Sequence, residues 1–153
     1  MEETKNEMVV QDTTNMTIDL FGESKTKKIT SVDLSNEKNV DMVLNSMQDA
    51  DFKLNDCIGK TIEVVGVIIS EREVDSSNEE TGEIVTRKKH AMTLFDVEGK
   101  SYVTGSNSCY LSLVNIISLK GMPTEKNHLF LEPIKTSAKI QGHSYLKLKI
   151  KNN

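Results

Sequence analysis

The change of hydrophobic period between Met92 and Gly121 constrains this chain more than any other feature. Met92 and Leu94 alternate with Thr93 and Phe95, the period of two that marks a half-buried strand. Asp96-Val97-Glu98-Gly99-Lys100 carries turn chemistry, with Gly99 free to take a positive φ. Ser101 to Thr104 resume the extended pattern around Tyr102 and Val103. Gly105-Ser106-Asn107-Ser108 interrupts it and places Ser106 or Asn107 to cap a helix. From Cys109 the period becomes helical through Leu113, Ile116, Ile117 and Lys120, and Gly121 stands in the C-cap position. The block reads as a hairpin followed by a helix.

The flanks turn this block into a fold class. Before it, Thr61 to Ile69 is a strand rich in β-branched residues, with Gly66 inside it where a barrel strand bulges or bends. After it, Leu129 to Ile140 and Tyr145 to Ile150 read as two further strands around Gln141-Gly142-His143-Ser144. Between the first two strands, the polar and acidic stretch from Glu71 to Glu83 reads as a long solvated loop. Three strands, a helix and two strands is the order of the OB-fold, a five-stranded Greek-key barrel. The expectation is a mostly β chain: an OB-fold barrel over residues 57–153, with a helix between its third and fourth strands. Residues 29–56 supply a short strand, Ile29 to Leu34, and a helix capped by Ser35 or Asn36. Its Val40, Val43, Leu44 and Met47 repeat at helical spacing to pack on the barrel. Residues 1–28 read as a flexible arm. Its apolar knot of Ile18, Leu20 and Phe21 is disordered without a role or docks on a neighbouring copy.

Charge is uneven along the chain. Residues 1–80 hold eight Lys or Arg against eighteen Asp or Glu, a net −10, whereas residues 81–153 hold eleven against five, a net +6. A pI near 5.4 argues against nucleic acid only for evenly spread charge, and here the basic half holds most of the expected barrel. Cys57 and Cys109 lie far apart with no ligand spacing, which suits buried thiols in a reducing compartment. No apolar run approaches the ~20 residues of a membrane span. The first residues are acidic and polar, unlike a secretory signal, so a cytoplasmic protein is expected.

Several short pieces, in order, carry a resemblance. They are Val32-Asp33-Leu34, Asp51 to Asp56, Ile58 to Ile62, Glu80 to Glu83, Leu94-Phe95-Asp96, and Glu98 to Tyr102 with the helix after it. Over roughly residues 30–151 the chain resembles the small OB-fold single-stranded DNA-binding proteins of phages and conjugative elements of Gram-positive bacteria. The resemblance implies protection of single strands, without sequence preference, during phage or plasmid replication or transfer. Bacterial housekeeping proteins of this kind end in an acidic tail that recruits partners. This chain ends in Lys147-Leu148-Lys149-Ile150-Lys151-Asn152-Asn153, and recruitment through a C-terminal tip is not expected of it.

The residues can be read independently for the same chemistry, which needs a cationic groove for phosphates and aromatic faces for bases. Arg87, Lys88 and Lys89 offer three successive cations, and Lys135 and Lys139 extend the groove. On the last strand Tyr145, Lys147, Lys149 and Lys151 point one way while Leu146, Leu148 and Ile150 point the other. Phe95 and Tyr102 flank the turn; Phe95 is equally a core residue, and Tyr102 stacks while Val103 fills the core. The plain alternative for every lysine is a solvated strand face that discourages edge pairing. His90, His128 and His143 have no carboxylate or thiol at ligand spacing, and no nucleophile or phosphate-loop motif is present. No metal, cofactor or catalytic activity is expected. The other function class is a protein-binding OB adaptor that uses the acidic half and lacks nucleic-acid affinity.

Overall fold

The computed structural model describes residues 11–12, 26–137 and 144–151. Its spine is a hairpin of two long strands, β4 (Ile62–Ser77) and β5 (Ile84–Asp96), for which β1 to β3 precede in the chain. These are β1 (Gln11–Asp12), β2 (Thr26–Thr30) and β3 (Phe52–Lys53), with helix α1 (Glu37–Gln48) between the last two. After the spine come β6 (Ser101–Thr104), α2 (Asn107–Lys120), β7 (Leu129–Ser137) and β8 (Ser144–Ile150).

The expected loop from Glu71 to Glu83 is corrected by this hairpin. β4 and β5 stay in register from Gly66↔Phe95 to Ser77↔Ile84, so the ribbon runs far past the core and only 78–83 turn. The polar residues are compatible with strand because both ribbon faces meet solvent and cross-strand pairs hold them. His90 Nε2 lies 3.0 Å from Glu71, and the Thr86 hydroxyl donates to Asp75 at 2.7 Å. At the tip the Asn78 side chain accepts the Glu80 N–H at 2.8 Å, and Gly82 takes φ +72 to close the turn.

The other edge of β4 is shared. Ile62 to Val64 pair with β7, while Ile68 to Arg72 pair with β2. The hand-over falls at Gly66, where the ladder with β5 slips a residue between Val64 and Gly66. Such a slip bends a strand and sharpens its twist, which is how the sheet curls here. β6 extends β5, β3 lies parallel to β6, and β8 pairs with β7. The described sheet thus has eight strands, not five, because β1, β2 and β3 join it; the arm expected over 1–28 is partly sheet, at 11–12 and 26–28. Ile18, Leu20 and Phe21 lie outside the described residues. The short strand expected at Ile29 to Leu34 instead ends at Thr30. There the Thr30 hydroxyl donates to the Val67 carbonyl at 2.9 Å and accepts the Val32 N–H, drawing the chain out of the ladder.

Among the described residues the curled sheet does not close strand on strand. β8 turns its free edge to α2, and two serines of the helix complete it. Ser108 donates to the Leu146 carbonyl at 2.8 Å, and Ser112 accepts the Leu148 N–H at 2.9 Å. A strand edge covered by a helix offers nothing for another chain to extend. Pro133, opposite Leu148, sits in β7 beyond the stretch that pairs with β4, where its missing N–H breaks no ladder bond.

The hydrophobic interior has two parts, one on each face of the sheet. Leu54, Val64, Val67, Leu94, Leu113, Leu131 and their neighbours fill the inside of the curl under α2. On the outer face Val32, Val43, Ile68 and Phe95 form a second cluster under α1. Asn36 caps α1, accepting from Lys38 N–H at 2.9 Å. The helix is rotated from the expected face: Val43 and Ser46 are buried, whereas Leu44 and Met47 are 53% and 49% exposed. Two covered faces explain why Leu94 and Phe95, adjacent in sequence, are both buried.

Candidate nucleic-acid interface

Alternation along the ribbon divides the successive cations. Lys88 faces the same way as Met92 and Leu94 and stands opposite Glu73, with its ammonium 3.9 Å from Glu71. Glu71, Glu73 and Asp75 make this the acidic side. Arg87 and Lys89 face the other way, toward the Phe95 side. There Lys89 stands directly opposite Arg72, and Arg87 opposite Val74. All three cations are exposed. Among the described residues Arg72, Arg87 and Lys89 have no ion-pair partner, whereas Lys88 pairs with Glu71. The expected trio is therefore two plus one, and Arg72 replaces Lys88. The sequence held a signal for Arg72, two positions before Val74 at strand spacing, but reading that stretch as a loop hid it.

Beside these cations the ribbon narrows to small side chains, Ser70 opposite Ala91. A cleft of about 440 Å³ opens there, lined by Ser70, Arg72, Lys88, Lys89, Ala91 and Asn107 among others. A larger groove of about 860 Å³ runs under α1, but Asp33, Asp96 and Glu125 line it against one lysine, Lys126. Its charge is wrong for phosphate.

The final strand carries the second basic surface. Leu146 and Leu148 are buried, and Tyr145 is 47% exposed with Lys147 and Lys149 exposed on the opposite face. Lys151 is engaged with Glu132 at 3.2 Å, which removes it from the row. Lys135 pairs across with Leu146 and so faces away from Lys147 and Lys149. Lys139 lies outside the described residues.

The aromatic expectations need correcting at two positions. Phe95, 1% exposed, is core in the outer cluster and has no face to offer a base. Tyr102 pairs with Leu94 across the ladder and points inward, while Val103 takes the outer side. Its ring stacks on Phe52 at 5.0 Å between centroids, and its hydroxyl donates to Asp96 at 2.8 Å. Burial first, and then Asp96, hold that hydroxyl well above the usual tyrosine range, so it stays a donor. Phe52, 44% exposed, is the outer ring of the pair. Tyr110 packs face to face on His90 at 3.8 Å.

No group of three or more metal-ligating side chains occurs among the described residues. Cys57 and Cys109 are buried, and burial pushes the Cys109 thiol up to about 12. Among the described residues no helix is long and apolar enough to cross a membrane. The fold and surfaces define a mostly β, barrel-like protein with two separated cationic strand faces. Comparison with protein-family models, with curated proteins and with solved structures finds no match in any of the three.

Proposed function

We propose that this chain binds single-stranded DNA with little sequence preference and protects it, in the setting of phage or plasmid replication or transfer. One observation carries the reading: two sets of cations, Arg72, Arg87 and Lys89 on the ribbon and Lys147 and Lys149 on β8, lie on exposed strand faces without ion-pair partners among the described residues. Unpaired cations on a rigid sheet suit a polyanion, and Tyr145 beside the second set supplies a ring for a base. The strand pairing supports an OB-type barrel as the scaffold. β4 pairs with β5 and β7, β5 with β6, and β7 with β8, with α2 standing in the chain between β6 and β7. The departures are the long ribbon and a seam sealed by a helix.

Titration of a fluorescein-labelled oligothymidylate at several salt concentrations tests the reading. Neutralising ~3–5 phosphates predicts a fall of log K with log salt of about 0.7 per phosphate. Mixed-sequence oligonucleotides should bind within a few-fold of it. Association that ignores salt, or strong preference for one sequence, overturns the proposal. Absence of DNA binding by the folded chain would leave the protein-binding adaptor.

A further inference from the structure

Cations directly opposite one another on adjacent strands repel and weaken the pairing. Arg72 and Lys89 are such a pair, with Arg87 one step along the same face. Lys28 of β2, opposite Ser70, stands on that face too and reaches toward Met47 at 4.0 Å. The acids of this ribbon, Glu71, Glu73 and Asp75, all sit on the other side. At the foot of the cationic row the Ser70–Ala91 pair leaves room, and the cleft of about 440 Å³ begins. β5 here has β4 on one side and, among the described residues, no strand on the other beyond its pairing with β6 at Met92.

From this we infer that Arg72 and Lys89 together form a phosphodiester-binding centre, with Arg87 holding the next phosphate outward and Lys88 taking no part. The inference rests on the single-strand reading and adds to it a residue, Arg72, and a face. An anion between Arg72 and Lys89 removes the repulsion that no acid among the described residues offsets. The Arg72 fork grips two oxygens of one phosphate, and the Lys89 ammonium adds a point charge. Lys88 borders the cleft as well, but its side chain leaves the other face of the ribbon, opposite Glu73, with its ammonium 3.9 Å from Glu71. Three adjacent cations thus divide into a binding pair and a structural one.

The same fluorescein-labelled oligothymidylate titration tests this in variants. Arg72→Ala with Lys89→Ala should weaken binding and flatten the salt slope by about 0.7, one phosphate's worth. Lys88→Ala should leave the slope at the parent value. Arg72→Glu should lose the same binding while raising the melting temperature, because it places a carboxylate opposite Lys89; simple misfolding would lower it. A double variant with the parent slope, or a Lys88→Ala variant that flattens it equally, overturns the assignment while the parent's own binding keeps the single-strand reading. A parent chain with no salt-dependent binding overturns both.

Discussion

Gly66 shows how little space the outer cluster leaves. A β-carbon added there would sit 2.9 Å from Val32 Cγ2, inside a contact that side chains do not make. Gly66→Ala should therefore destabilise the fold by about 1–3 kcal/mol, the usual range for overpacking. Val32→Ala in the same chain should recover part of the loss, and a double-mutant cycle on thermal melts measures the coupling. His128 offers a residue-level pH test. Its hydrogen bond to Glu63 at 2.7 Å raises its pKa above the ordinary value of 6.5. A raised value favours the folded state fully below the ordinary pKa and loses that contribution as pH climbs through the folded one. Melting temperature should fall as pH rises above the ordinary histidine value, and His128→Gln should flatten the fall. Period-two patterning made plain that Tyr102 and Val103 face opposite ways. Which one faces inward was not legible, because α1 and the chain before it cover the outer face that patterning alone treats as wet.

At the level of elements, α2 does the work that a strand-to-strand seam does elsewhere. Ser112→Ala would leave the Leu148 N–H without its partner, at a cost of about 1–3 kcal/mol for a buried unsatisfied donor. Denaturant unfolding should show that loss, and hydrogen exchange should show it concentrated in β8, with the β4–β5 ribbon protected as before. The helix itself was legible through its capping serine, its Gly121 terminus and its period. Its role as a seam was not, since serine hydroxyls in a helix usually bond their own turn, as Ser118 does to Asn115. The ribbon was hidden for a related reason. A ladder is held by backbone bonds that leave no mark on composition, so a polar strand with two wet faces looks like a loop.

Taken as a whole, the molecule presents two cationic lanes on different parts of one curled sheet. Each lane titrated separately should contribute its own slope, and a chain lacking Arg72, Lys89, Lys147 and Lys149 should lose about 2.1 in log K per log salt if both hold the strand at once. A loss near 0.7 would mean that only the ribbon pair is occupied, and a loss near 1.4 that only β8 is. Tyr145→Ala should weaken binding about 5- to 150-fold, the equivalent of ~1–3 kcal/mol for a stacked base, with little change in melting temperature. The uneven charge of the sequence made a basic half legible, but its division into lanes depends on register, which no count of charges contains. That register has an evolutionary side. Met92 and Leu94 anchor the root of β5 in the core. One residue gained or lost at His90 or Ala91 would swing Arg87 and Lys89 to the acidic side and bring Lys88 into their place, whereas two would restore them. The 78–83 turn, beyond the cations, can lengthen freely. Descendants of this chain should vary in hairpin length at the tip without constraint, and at the root only by even steps.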